Sequence, residues 1–438
     1  MTTSTTTKSR IGIFAICWLG LLADGYDLYV YGATLPGFIG KAPWNVTPAM
    51  AGAVGSIALV GMLLGSLVAG TLTDRLGRRR LMIGSLTLFS LAMLACSFAP
   101  SFEVFAAFRF LACAGVGGLL PTAVAMTNEF ADVRKKSIVL GLVLTGPAIG
   151  ALAAATVSLN LLEDYGVRPV YAVGAASLLL IPFAWRFLPE SPAYLRAVGR
   201  HDDAAVVAGT YGLPVPVVAP ATAVAPRNSV AGLFSAGNIG PTLGMWVLCL
   251  LSLLTIFGLT TWLPQLMSQS GFTTGSAISF LLTYSLGAII GTVAAAFIGQ
   301  RTAPKIMVVT GFVAAATALL VTSQVSSPVV LTAAILVAGF GGLGTQNMIN
   351  DHVAQYYPSA MRATGLGWAL AVGRVGAIIG PTYGAWAITV GGGLEFAAIA
   401  FAVPAILGAV ITLVLPRRSP DQRLEQPAAA LPQVVQAR

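Results

Sequence analysis

Unbroken runs of apolar residues, each close to twenty residues long and separated by short polar breaks, dominate the pattern along this chain. They fall near 11–33, 50–73, 81–99, 103–126, 137–160, 169–188, 239–263, 275–298, 304–323, 328–348, 364–388 and 394–415. A helix rises about 1.5 Å per residue, so about twenty residues cross the ~30 Å hydrocarbon layer of a bilayer. The pattern therefore predicts an all-α membrane protein with twelve transmembrane helices. The run after Arg10 is too long and too well continued for a cleaved signal and is read as the first span. The one long break, 189–238, is rich in Ala, Pro and charge and divides the chain six plus six. That predicts an N-terminal six-helix half over 1–188, a cytoplasmic central loop over 189–238, and a C-terminal half with a cytoplasmic tail over 239–438. The halves echo each other where Leu188-Pro189-Glu190-Ser191-Pro192 matches Leu415-Pro416-Arg417-Arg418-Ser419-Pro420. Such a pair of halves implies a substrate site near the bilayer midplane.

Composition sharpens the class. Of 438 residues, 56% are hydrophobic and 9% charged, where a soluble domain carries about 25% charged residues. The net charge of +9 raises nucleic acid as a partner, and the placement of charge removes it. With the N-terminus inside, the inner segments hold Lys8, Arg10, Arg75, Arg78, Arg79, Arg80, Arg134, Lys135, Lys136, Arg186 and ten further basic residues towards the C-terminus. The outer loops hold only Lys41 and Arg168, and Arg109 and Arg374 lie within spans. Basic residues collect on the cytoplasmic side of membrane proteins, so this asymmetry puts both termini in the cytoplasm and accounts for the positive balance. Cys17, Cys96, Cys113 and Cys249 all sit inside apolar runs without metal-ligand spacing and read as small lipid-compatible side chains. No phosphate-binding loop, zinc-protease motif or C-x-x-C is present, and the chain has two histidines. An enzyme, a metal centre and an organic cofactor are not expected.

After the second span comes Gly70-Thr71-Leu72-Thr73-Asp74-Arg75-Leu76-Gly77-Arg78-Arg79-Arg80. Gly70 and Gly77 permit close helix approach and a tight turn. Asp74, placed at a helix N-terminus, can accept from arginines and lock the inner helix ends together. A simple positive-inside anchor is the alternative. The run resembles the loop signature of the major facilitator superfamily. Pro121, Glu129, Arg134 and the Pro-Glu-Ser-Pro at 189–192 are similar to marks of its sugar-porter members. The matching loop of the second half, 299–305, is degenerate, and Gln355 stands where those members keep a Glu.

Ionisable groups inside spans are costly and point to function. Asp24, Asp27 and Tyr31 fall at i, i+3 and i+7 on one face of the first span. Asp27 lies about six residues before the outer end of its span and Arg109 about six after the outer start of the fourth. Both therefore sit roughly 9 Å deep, and an Asp–Arg pair follows. A low dielectric favours the neutral acid and a nearby Arg the carboxylate. A pair whose separation changes between two states can take up and release a proton; a pair that only orients helices is the alternative. Arg374, about ten residues into the eleventh span, can hold a carboxylate through two hydrogen bonds, or can pair with an acid such as Asp351. Gln346, Asn347, Asn350 and Asp351, followed by His352, can line an inner path, and Tyr31 and Trp368 are the best aromatic pocket candidates.

Asp24-Gly25-Tyr26-Asp27 is similar to the first-span element of the aromatic acid:proton symporter family. Tyr357-Pro358 with Arg362, Thr364, Gly365, Gly367 and Trp368, then Gly373-Arg374-x-Gly376 and Gly380-Pro381, is similar to its eleventh-span stretch. The likeness covers the chain outside its tails and the 205–235 loop, and the longer run to Gly32 is most similar to benzoate-type members. It implies uptake of a small aromatic carboxylate with a proton across the bacterial cytoplasmic membrane, and a single chain is expected to form the transport unit. It implies coupling and substrate roles for Asp24 and Asp27, gating by Asp74 and its loop, and a part in transport for Arg109, Glu129, Arg362 and Arg374. Joined to the reading of the residues, the candidates are Asp24, Asp27 and Arg109 for coupling, Arg374, Tyr31, Trp368 and Asn347 for substrate, and Gly70, Asp74, Arg75, Gly77, Arg78, Glu129, Arg134 and Arg362 for gating. The rivals are a drug–proton antiporter, suggested by Gly146-Pro147 in the fifth span, and a sugar–proton symporter, suggested by Pro-Glu-Ser-Pro.

Overall fold

The computed structural model describes residues 9–132, 135–213, 229–235, 237–298, 302–325, 327–391 and 393–416. Among them are twelve helices long and apolar enough to cross a membrane, numbered here in chain order. Spans one to six are Ile11–Gly37, Pro48–Leu76, Arg78–Ser97, Phe102–Phe130, Ile138–Tyr165 and Val167–Phe187. Spans seven to twelve are Ile239–Gln269, Thr274–Ala295, Pro304–Gln324, Pro328–Tyr356, Met361–Val390 and Leu394–Val414. Every expected span is present. The ends differ most in span ten, which runs eight residues past the apolar stretch to Tyr356. Helix propagation needs no apolar side chain, so Asn350, Asp351 and His352 continue it.

Local chemistry sets the boundaries. Thr47 caps span two by accepting from Met50 N at 3.3 Å, with Pro48 in the first turn. Ser101 caps span four in the same way through Val104 N. Span five is broken into Lys136–Val143 and Gly146–Tyr165 by a turn at Leu144 and Thr145, just before Pro147, whose ring cannot continue the preceding hydrogen-bond ladder. Gly77, at φ 87°, turns the chain from span two into span three in a conformation that favours glycine. The break after span six contains the short helices Pro192–Ala197, His201–Tyr211 and Ser229–Leu233.

The chain divides into two compact units. The first comprises Met1–Ala219, Thr260–Ser285 and Pro381–Val390. Its core joins Ile16, Leu21, Met82, Leu86, Leu119 and Met126 from spans one, three and four. Spans two and four meet through small residues: Cβ atoms added at Gly61, Gly65 or Gly117 would run into the facing backbone of Phe110, Ala114 or Met62. Membrane helices associate by such close packing because lipid removes the hydrophobic drive between them. Arg10 ties the unit together at one end, donating to the backbone oxygens of Phe130, Tyr211 and Gly212. At the other end Gly32 packs on the backbone of Thr260, Gly52 and Gly55 pack on Pro381, and Trp262 donates to Pro381 O at 2.7 Å.

The second unit comprises Pro220–Leu259, Leu286–Gly380 and Gly391–Arg438. It repeats the packing device: Gly287 and Gly291 of span eight lie against Leu336 and Phe340 of span ten. Its core gathers Met245, Leu248, Val308, Phe312, Ile349, Val353 and Tyr356.

Candidate functional site

Asp27 and Arg109 form an ion pair inside the first unit, with residue exposures of 0% and 2%. The guanidinium reaches Asp27 twice over: Nη1 donates to the carboxylate oxygen Oδ1, and Nη2 donates to the backbone oxygen at 3.2 Å. The second carboxylate oxygen, Oδ2, accepts from the Cys113 thiol at 2.9 Å. Arg109 Nη1 also lies 3.6 Å from Met93 Sδ. Desolvating two charges costs several kcal/mol each unless geometry and further hydrogen bonds compensate, and here both carboxylate oxygens have donors.

Aromatic rings complete the surroundings. The Arg109 guanidinium carbon lies 5.8 Å from the centroids of both Tyr31 and Tyr171, within the range where a cation is drawn to a ring face. Each phenol is itself tied down: Tyr31 donates to Ala51 O at 2.6 Å, and Tyr171 shares a 3.0 Å hydrogen bond with Thr34. Phe105 packs edge-on against Tyr171 and stacks with Tyr31. Asp24, one turn before Asp27, is 2% exposed.

Gly25, between the two acids, is explained by packing. Span one passes so close to the backbone of Pro147 in span five that an added Cβ would overlap it, and Gly150 makes the reciprocal approach to Leu22 and Tyr26. Gly25→Val is expected to push the spans apart and cost about 1–3 kcal/mol, read as a lower thermal unfolding midpoint in detergent. An unchanged midpoint would contradict the packing account.

The remaining expected site residues lie in three places. Arg374 is partly buried in span eleven of the second unit, and Trp368 in the same span stacks on Trp246 at 5.6 Å and is 44% exposed. Asn347 is exposed on span ten, with Nδ2 3.5 Å from Thr292 Oγ1. Its neighbour Gln346 is buried and donates to Asn350 at 3.0 Å.

The loop between spans two and three holds the third group, and its wiring differs from expectation. Asp74 lies in the last turn of span two rather than at a helix N-terminus, and its side chain is exposed. The acids that bind this loop are Glu129 and Glu190. Arg78 pairs with Glu129 at 3.3 Å, and Ser191 donates to the same carboxylate. Glu190 accepts from the Arg79 backbone at 3.1 Å and from its neighbour Ser191 N at 2.9 Å. A carboxylate suits the N-terminus of span three, whose first amides lack helical partners. Gly77 is needed on two counts, since its Cβ would also meet the Glu190 carboxylate and Tyr194. Tyr194 donates to Arg75 O at 2.9 Å. Gly70 faces open space rather than a neighbouring helix. Arg362 is exposed at the start of span eleven, and Arg134 lies outside the described residues.

Sequence reading missed three members of these clusters. Cys113 reads from the sequence as a lipid-compatible side chain, although its place four residues after Arg109 puts both on one helix face. Tyr171 carried no signal. Glu190 stood out only as part of Pro-Glu-Ser-Pro.

Twelve spans among the described residues and a charge pair held within them describe a multi-pass membrane protein. Residues 17–381 and 273–437 match the Major Facilitator Superfamily, and the chain belongs to that superfamily. It is 30% identical over 433 residues to the benzoate transport protein of Acinetobacter baylyi, covering 96% of this chain and 91% of that one. It is 34% identical over 415 residues to the gentisate transporter of Corynebacterium glutamicum, covering 93% and 88%. The fold is similar to that of the xylose transporter XylE from E. coli in a partially occluded inward open conformation, with a TM-score of 0.71, 16% identity, and coverage of 94% and 98%.

Proposed function

We propose that this transporter carries a small aromatic carboxylate together with a proton into the cell across the bacterial cytoplasmic membrane, by alternating access and as a single-chain unit. The observation that carries the coupling is the buried Asp27–Arg109 pair. A carboxylate inside a span is costly to keep charged without its partner, so movement of Arg109 changes how strongly Asp27 holds a proton. Asp24, buried one turn away, is the second candidate for the proton. The benzoate and gentisate relatives support an aromatic acid as cargo over a drug or a sugar. Arg374 supplies the cation for the substrate carboxylate, with Tyr31, Trp368 and Asn347 as further contacts. The Arg78–Glu129 pair and the Glu190 contacts close the cytoplasmic end and break as it opens. Both termini are cytoplasmic in this reading, and the proton is the only coupling partner.

The test is uptake of labelled benzoate and gentisate into liposomes holding the protein, with and without an inward proton gradient. Neutral benzoic acid crosses lipid by itself and follows the gradient, so protein-free vesicles are subtracted and initial rates are compared. The added hydroxyls slow that leak for gentisate. Protein-dependent uptake accelerated by the gradient, and competed by other aromatic acids, is expected. Absence of any protein-dependent flux for either acid would overturn the reading.

A further inference from the structure

We propose that Cys113 is a positioning residue for the proton: it marks Oδ2 of Asp27 as the oxygen that is protonated and sets how readily this happens. The inference rests on the proton-coupled reading and takes it to a single atom. Asp27 offers two oxygens. Oδ1 faces Arg109, and a guanidinium has donors only, so this contact withdraws charge from Oδ1 and offers no acceptor for a hydroxyl there, which makes Oδ1 the poorer site for a proton. Oδ2 faces Cys113 Sγ at 2.9 Å. A thiol is a weak donor and also a weak acceptor, so it serves both forms of the acid. With Asp27 ionised, the S–H points at Oδ2. When a hydronium ion gives its proton to Oδ2 and leaves as water, the carboxyl becomes a neutral acid, and the thiol turns its own hydrogen away to accept the new O–H. Cys113 keeps its proton throughout. No other described side chain donates to Oδ2.

The neighbouring groups do not duplicate this. Arg109 is spent on Oδ1 and the backbone oxygen. The Cys96 thiol of span three is directed to Phe105 O at 4.0 Å, and the phenols of Tyr31 and Tyr171 are bonded to Ala51 and Thr34. The other titratable groups on span one near this pair are Asp24, Tyr29 and Tyr26, whose phenol donates to Val170 O at 2.7 Å. Cys113 is 2% exposed and packed beneath the pair, so its effect is exerted on Asp27 rather than on substrate.

The experiment compares the pH profile of protein-dependent gentisate uptake in wild type, Cys113→Ala and Cys113→Ser, with gentisate exchange at equal pH on both sides as the control for insertion and binding. Removing the donor disfavours the ionised form, so Cys113→Ala is expected to move the midpoint to higher pH by about half a unit or more. Cys113→Ser keeps a donor and acceptor and is expected to stay on the wild-type side of that value. In wild-type protein the infrared S–H stretch assigned to Cys113, by its loss in Cys113→Ser, is expected to change over the pH range in which uptake titrates. A Cys113→Ala profile equal to wild type in protein that still exchanges gentisate would overturn the proposal. So would a Cys113→Ser profile equal to that of Cys113→Ala. If Cys113→Ala fails to insert, an S–H stretch that does not respond to pH overturns it alone. Failure of the broader reading looks different, since wild-type uptake then shows no proton dependence at all.

Discussion

Arg109→Met is expected to destabilise the protein more than any other change at the pair. The substitution keeps an unbranched apolar stem of similar length and removes the charge and both donors to Asp27. At a pH where it stays ionised, Asp27 is then a carboxylate at 0% exposure with only a thiol to solvate it. Breaking a buried pair from one side costs about 3–5 kcal/mol, because the surviving charge is uncompensated. The measurement is the thermal unfolding midpoint in detergent, with membrane yield as a second readout. Arg109→Lys is expected to recover only part of the loss, since an ammonium cannot reach Oδ1 and the backbone oxygen together in the guanidinium's fork geometry. The decisive comparison is Arg109→Met combined with Asp27→Leu. If the cost is the orphaned charge, the double variant is more stable than Arg109→Met alone, although it transports nothing. A double variant no more stable than the single one would mean that the pair contributes packing rather than charge compensation.

That experiment tests a feature that was legible in the sequence, and the reason is geometric. Depth in a membrane is counted along the chain, so an Asp six residues from one outer end and an Arg six from another fall at one level. Rotation about the helix axis is not counted so easily. It decides whether Cys113 faces lipid or Asp27, and that depends on how closely spans one and four approach. The twelve spans were legible for the same reason as depth: each must clear the hydrocarbon layer, whatever its neighbours do. The loop after span two shows the limit from another side. Its motif was plain, but the acids that engage it, Glu129 and Glu190, lie 51 and 111 residues beyond Arg78 and Arg79, the residues they contact. Only the folded chain brings them to Gly77, while Asp74, which the motif singled out, faces solvent.

Asp27→Asn is expected to separate transport from the proton gradient. The amide is close to isosteric with the carboxyl and resembles its neutral form. Its oxygen can still accept from Arg109, so the helices remain tethered while the site loses its titration. Occupancy of a single proton site changes about tenfold per pH unit on the alkaline side of its midpoint, and wild-type uptake should follow that slope as the outside is acidified. In Asp27→Asn the protein-dependent rate is expected to be flat over the same range, while exchange of labelled for unlabelled gentisate at equal pH stays within about threefold of wild type. Exchange needs the substrate-loaded protein to change faces but no net proton movement, so it survives a site locked in its neutral form. The same two assays on Asp24→Asn decide which acid carries the proton. A flat profile there, with a wild-type slope in Asp27→Asn, would move the role one turn along span one and leave Asp27 as the anchor of Arg109. Loss of both exchange and gradient-driven uptake in Asp27→Asn, with the protein stably inserted, would instead mean that the negative charge on Asp27 is required for the helices to change state at all.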